Sequence, residues 1–252
     1  MLDEGIEYLE GVDQVPSDVI TTPGVTTSGA SLADLRKAYE QAYERSDGDG
    51  VVAVHMSRRL SGTWSAARLA ADTLDGGVRV VDSRSVGVSP GLTTMAAVQA
   101  AQAGAERDEV YEAAVRAAAT AESMLCVQSL DNLRNSGRLS LTGHLLGSAL
   151  SIKPILHMSD GLLALRERHR TMSKAVAKMV DAAVDLADGE PVTVGIQHCQ
   201  NPEAADELRA TMIDRLDDVV DTLTVDLGPV LGVHVGRGAV GVALGHGLAP
   251  FS

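Results

Sequence analysis

The sequence predicts an α/β fold, and three observations carry that prediction. From residue 31 onward, stretches of helical periodicity alternate with short Val/Ile-rich runs in the order helix, strand, loop, helix, strand. That order belongs to a parallel sheet covered by helices. No long Pro/Gly/Ser linker interrupts the chain, so any two domains must lie closely apposed. Of the 252 residues, 45% are apolar but only 2% aromatic, so the interior must be aliphatic. A chain of this length hides about three quarters of its unfolded surface, enough for a sizeable core.

Taken in order, Ser31-Leu-Ala-Asp34 has capping-box spacing, with Asp in place of Glu, and predicts a helix to about Arg45. Ser46-Asp-Gly-Asp-Gly50 is loop punctuation before a short buried strand, Val51–Val54. The loop Ser57-Arg-Arg-Leu-Ser-Gly62 leads into a helix near Thr63–Leu74, and Val78–Val81 is a strand ending at Asp82-Ser83. Two Ala-rich helices follow, about Gly91–Ala103 and Arg107–Glu122, separated by Gly104. Near Gly137-Arg-Leu-Ser140 the pattern changes. Ile155–Met158 and Leu162–Glu167, joined by Ser159-Asp-Gly161, predict a β-hairpin. A helix (Thr171–Leu186), a strand (Val192–His198), a helix (Pro202–Leu216, its Pro in the first turn) and further strands complete the chain. A soft boundary falls near residue 150, giving an N-terminal α/β domain (1–150) and a C-terminal one (151–252).

Charge and composition exclude several partner classes. With 21 Lys+Arg against 34 Asp+Glu, the formal charge is −13. Phosphate backbones reward clustered Lys and Arg, so the balance argues against nucleic acid, and equally against anionic membrane surfaces. Few aromatics also argue against base stacking. Two cysteines, Cys126 and Cys199, are too few for a disulfide framework and fit a reducing cytosol. No secretory signal and no integral membrane segment is expected, because the start is acidic and no run of about 18 apolar residues exists. The expected location is cytoplasmic. The first 35 residues carry no Lys or Arg but seven acids, and read as a solvated lead-in or a hairpin.

Most chemistry-bearing motifs fail on context. Gly236-Arg-Gly238-Ala-Val-Gly241 matches G-x-G-x-x-G, but only eleven residues follow it and Ala239–Leu244 reads as a strand. A dinucleotide site needs that motif to open a helix, so a close-packed glycine loop between strands is the better account. There is no P-loop and no G-x-S-x-G nucleophile elbow. The seven histidines (His55, His144, His157, His169, His198, His234 and His246) show no metal-ligand spacing, and His198-Cys199 alone builds no tetrahedral site. No metal and no cofactor is expected, and both thiols read as buried and inert. Three hydroxyl-rich loops remain: Thr26–Ser31, Ser57–Thr63 and Asp82–Ser85. The first two enter helices, whose unpaired N–H groups and positive dipole end suit an anion. Simple N-capping explains any one of them alone. Together with the glycine-framed His234, they make an anion site a working expectation.

In order along the chain, these loops resemble the DegV family of bacterial fatty-acid-binding proteins. The resemblance rests on Thr27-Ser28-Gly29-Ala30-Ser31, on Ser57-Arg-Arg-Leu-Ser-Gly-Thr-Trp-Ser-Ala66, and on Asp82-Ser83. It continues through Gly137-Arg-Leu-Ser140, Ile152-Lys-Pro-Ile-Leu156 and Gly228-Pro-Val-Leu-Gly-Val-His-Val-Gly-Arg-Gly-Ala-Val-Gly241. It implies two α/β domains, the first with a parallel sheet flanked by helices and the second a smaller mixed sheet with helices. One long-chain fatty acid would be clasped between them. Thr27 and Ser61 would hydrogen-bond its carboxylate, with Ser28, Gly62 and His234 in the same polar network. The protein would not be an enzyme itself; it would present the acid to an ATP-dependent fatty acid kinase for acyl phosphate formation in phospholipid synthesis. In the basic run from Arg166 to Arg170, Arg168 and Arg170 are candidate contacts for that partner, against the plainer account of a solvated strand edge. A small-molecule phosphoryl- or acyl-transfer enzyme using the same anion site is the alternative; it would need a positioned base and metal-binding carboxylates, and no convincing cluster is evident.

The chain departs from the family pattern in places. Gly29-Ala30 replaces Gln-Pro, which is expected to loosen the first loop; Arg58 replaces Ser, Trp64 replaces Tyr, and Arg237 replaces Pro. The family's opening strand-helix-strand is missing, so the start was placed late, the chain is truncated, or the unit is truly lacking. Its loss is expected to leave an unpaired strand and apolar surface exposed.

Overall fold

A computed structural model describes residues 2–3, 6–140 and 152–251. A short antiparallel hairpin, β1 (Leu2–Asp3) with β2 (Ile6–Glu7), opens the chain. A 3-10 turn at Val19–Thr21 then buries Val19 and Ile20. α1 (Leu32–Arg45) starts where expected, because the Ser31 hydroxyl accepts from the Asp34 N–H. β3 (Val51–His55), α2 (Thr63–Ala71) and β4 (Val78–Asp82) follow, β3 pairing in parallel with β4 in a two-stranded sheet. α3 (Ser89–Gln102) and α4 (Arg107–Thr120) cover one face of it, and α1 and α2 the other.

The remaining elements build a larger sheet. They are β5 (Glu122–Cys126), α5 (Asp131–Asn135), β6 (Lys153–Ser159), β7 (Leu162–His169), α6 (Met172–Ala187) and β8 (Val192–His198). α7 (Pro202–Arg215), β9 (Val219–Asp226), α8 (Gly228–Val235) and β10 (Val240–His246) complete it. The strand order is β7-β6-β5-β10-β8-β9, with only β8 and β9 parallel.

The α/β class, the parallel first sheet and the mixed second sheet match the sequence expectation, with one correction of size. The mixed sheet, expected to be the smaller, has six strands against two. The strands change sheets between β4 and β5, ahead of residue 150, because β5 inserts between β6 and β10. His144 lies outside the described residues. The helix expected to run to Glu122 stops at Thr120, since Glu122 already belongs to β5.

The two faces of the six-stranded sheet differ by strand alternation. Met124, Cys126, Val194, Ile196, Val242 and Leu244 point to one side and pack against α6 and α7. The other side carries Ser123, Leu125, Gln197, Gly241 and Ala243, and faces α3, α8 and the smaller sheet. Gly195 is glycine because α3 comes so close: a Cβ there would stand 2.9 Å from the Val88 side chain. Burial raises both thiols, Cys126 to about 12 and Cys199 to about 11, which keeps them protonated.

The Gly236–Gly241 loop lies between helix α8 and strand β10 rather than between two strands. The sequence reading missed α8 because its apolar Val-Leu-Gly-Val stretch shows no amphipathic face. Its helix ends at Gly236, with φ +79°. A helix that ends at the glycines, where a dinucleotide fold needs one to begin, removes the phosphate-binding geometry.

Candidate functional site

A cavity of about 550 Å³ lies between the two sheets. Its polar end is assembled from distant parts of the chain. Thr27, on the loop before α1, places Oγ1 2.8 Å from His234 Nε2 on α8. Ser61, on the loop into α2, places Oγ 2.9 Å from Thr63 Oγ1 and accepts from the Thr63 N–H at 3.2 Å. Thr27, Ser28, Ser61 and His234 all line the cavity. Gly62 does not: it is the exposed N-cap of α2. The third hydroxyl-rich loop also stays outside, because Asp82 Oδ1 accepts from the Arg84 N–H and Oδ2 pairs with Arg58.

Gly29 explains how the first two loops meet. A Cβ there would stand 2.7 Å from Thr63 Oγ1, so glycine lets the Thr27 loop approach the Ser61 loop closely. The Gly29 departure thus accompanies a close approach of the two loops. Arg58 and Trp64 form a compensating pair, with the guanidinium 5.5 Å over the indole.

Sequence reasoning missed Arg138. It lies within Gly137-Arg-Leu-Ser140, where no local signal marks it as a site residue. Among the described residues that line the cavity it is the one Lys or Arg. Its Nε donates to the Leu60 carbonyl at 3.4 Å and its Nη1 to the Ser136 carbonyl, which uses two of five N–H groups. Burial, and next the Arg138 charge, push the His234 imidazole below its usual pKa. It is therefore neutral at pH 7. Its Nδ1 is buried without a partner among the described residues. If Nε2 carries the proton and donates to Thr27, the Thr27 hydroxyl hydrogen is free to donate onward. Neutral His234, Thr27, Ser61 and Arg138 thus form a donor-rich pocket suited to an anion.

The walls are aliphatic: Leu60, Leu125, Leu133, Met158, Leu163 and Leu231. Two inter-sheet clamps hold them in place. Ser57 Oγ donates to the Gly161 carbonyl at 2.6 Å, and Arg59 Nη1 to the Asp160 carbonyl at 2.9 Å. Arg84 also pairs with the Asp160 carboxylate. At the mouth, the acidic lead-in is docked rather than free. Tyr8 and Val15 pack on the core, and Glu10 accepts from the Val230 N–H at 3.2 Å in the first turn of α8. A carboxylate there complements the helix dipole.

Arg168 and Arg170 do not line the cavity and are exposed, on or just after the edge strand β7. Among the described residues, no group of three His, Cys, Asp or Glu side chains is placed to hold a metal ion. No helix among them is long and apolar enough to cross a membrane.

Comparison with known proteins agrees with this architecture. The sequence profile of the DegV family, described as uncharacterised, matches residues 4–246. A DegV domain-containing protein of Mycobacterium tuberculosis is 43% identical over 247 residues, covering 98% of this chain and 88% of that one. The crystal structure of a DegV family protein from Corynebacterium glutamicum is similar with a TM-score of 0.82 at 38% identity, covering 89% of this chain and 85% of that one. A DegV family protein from Thermus thermophilus, described as fatty-acid binding, gives a TM-score of 0.82 at 27% identity, over 88% and 79% of the two chains. By profile, sequence and fold, this chain belongs to the DegV family.

Proposed function

We propose that the chain binds one long-chain fatty acid in the cavity between the sheets. The observation that carries this reading is an aliphatic-walled cavity of about 550 Å³ with Thr27, Ser61, Arg138 and His234 in its lining. A carboxylate leaving water needs charge-assisted hydrogen bonds, or its burial is prohibitively costly. Thr27 and Ser61 donate hydroxyl hydrogens to it, His234 orients Thr27, and the Arg138 guanidinium balances the charge. Ser28 flanks the same end, and Gly62 contributes by shaping the start of α2. The tail contributes roughly 0.8 kcal/mol per buried CH₂, on the order of 10 kcal/mol for a C16 chain. At a net charge of −13, selectivity for an anion must be local.

The fatty-acid binding described for the Thermus thermophilus relative supports this reading. The bound acid is presented to an ATP-dependent fatty acid kinase, with Arg168 and Arg170 as the docking cations and the chain itself acting as carrier rather than catalyst. Both arginines are exposed, Arg168 on the outermost strand β7 and Arg170 just after it.

Titration with palmitate and oleate tests the binding. The wild type should bind one equivalent, and Thr27→Val should weaken binding by about 1 kcal/mol. An unchanged affinity removes Thr27 from the site. Coupled turnover with a fatty acid kinase tests delivery: replacing Arg168 and Arg170 by Ser should slow acyl phosphate formation while lipid occupancy holds. Equal rates would place the partner elsewhere.

A further inference from the structure

The aliphatic wall is interrupted by two polar side chains that the carboxylate site does not use. Gln197 on β8 is 3% exposed and Ser123 on β5 is 6% exposed, and both line the cavity. They stand on the sheet face opposite α6 and α7, on the two strands that flank β10. Their register partners on β10 are Gly241 for Gln197 and Ala243 for Ser123. On this face the strand between them therefore carries nothing larger than a methyl group.

The Gln197 amide has a fixed orientation. Its Oε1 accepts from the Val88 N–H at 3.0 Å, so Nε2 must point the other way. Nε2 lies over Gly241, 3.1 Å from where a Cβ would stand. Among the described residues, no acceptor takes a hydrogen bond from Nε2, and the Ser123 hydroxyl has no partner either. Gly87 makes room for this arrangement: a Cβ there would collide with Gln197 Oε1 and would lie 3.0 Å from Leu227. Unpaired donors in an apolar wall are costly, and a dry acyl chain running past them leaves them unsatisfied.

We infer that Gln197 and Ser123 form a second polar station, selecting long-chain acids that carry an oxygen, as hydroxyl or ketone, partway along the chain. This rests on the fatty-acid reading above and names the substrate class within it. The position follows from α8. Leu227, beside Gln197 across Gly87, precedes the helix, and His234 comes seven residues later near its end. Seven residues of α-helix span about 10 Å, so the station lies well down the tail from the carboxylate. A site built to hydrogen-bond an oxygen discriminates against the analogue lacking it, because its own donors are then left unpaired.

The test uses the intact chain with stearate and a set of hydroxystearates whose hydroxyl moves stepwise along the tail. The expected result is one narrow range of hydroxyl positions that binds about tenfold tighter than the others. Gln197→Met keeps the length and leaves a weak acceptor for the Val88 N–H; it should erase that preference. Should Q197M fail to fold, Ser123→Ala decides, with the same preference reduced severalfold. If stearate and every hydroxystearate bind alike, the station is overturned while the fatty-acid reading stands. If no acid binds at all, both fall.

Discussion

The polar end of the cavity and its acyl wall are built from different parts of the fold. Thr27 and Ser61 stand on loops of the smaller-sheet unit, whereas Arg138 follows α5 and His234 rides on α8. Much of the wall comes instead from one continuous structure, the face of the six-stranded sheet, with Leu125 on β5, Met158 on β6 and Leu163 on β7. Loops place individual donors, and a sheet face supplies a surface. The polar end should therefore be sensitive to single atoms, and the wall to volume.

The largest expected effect is at the polar end. Arg138→Met removes the cavity's cation and should weaken fatty-acid binding by about 2 kcal/mol, roughly thirtyfold, read by titration. A loss below twofold would mean that the carboxylate is held without it. Ser61→Ala should cost about 1 kcal/mol through one lost hydrogen bond. On the wall, Leu231→Phe adds bulk without touching a donor. It should shift preference toward shorter acids by a few-fold, measured across C12 to C18, and leave the rank order of the polar-end variants intact. A uniform loss for all chain lengths would show that the two ends are not separable.

The smallest effect is in pH. Burial holds His55, His157 and His234 below their usual pKa, so the folded chain resists taking protons that the unfolded chain accepts. Stability is then full above about pH 6.5 and falls as pH drops through that value toward the lowered folded pKa values. Thermal unfolding at pH 7.5 and 5.5 should show the decline. Bound fatty acid should lessen it, because a carboxylate beside His234 favours the imidazolium. An identical pH dependence with and without ligand would place His234 away from the carboxylate.

The sequence exposed the loops more readily than the wall. Ser31, Thr27 and Ser61 announce themselves as hydroxyls at helix starts, and the α1 cap at Ser31 forms as read. Arg138 carried no such signal: one arginine in a short polar stretch becomes a site residue only because α5 turns it toward Leu60. Gln197 and Ser123 were hidden for a related reason. Within apolar strands a single polar residue reads as the solvent face, and only the sheet order shows that this face looks into a cavity. β5 was not legible locally, because its place beside β10 is a long-range pairing that no local pattern encodes. The acidic start reads as a solvated lead-in or a hairpin, and it has both characters: β1 pairs with β2 and most of residues 6–18 are exposed, while Tyr8, Val15 and Glu10 anchor it on the core and on α8.

The most direct test of the central claim is native mass spectrometry of the purified chain, followed by lipid extraction, with Arg138→Met measured alongside. A carrier of this kind should show one long-chain acid per chain in the wild type and a largely empty variant. A wild-type mass without adduct, together with no uptake of added palmitate or oleate, would contradict it.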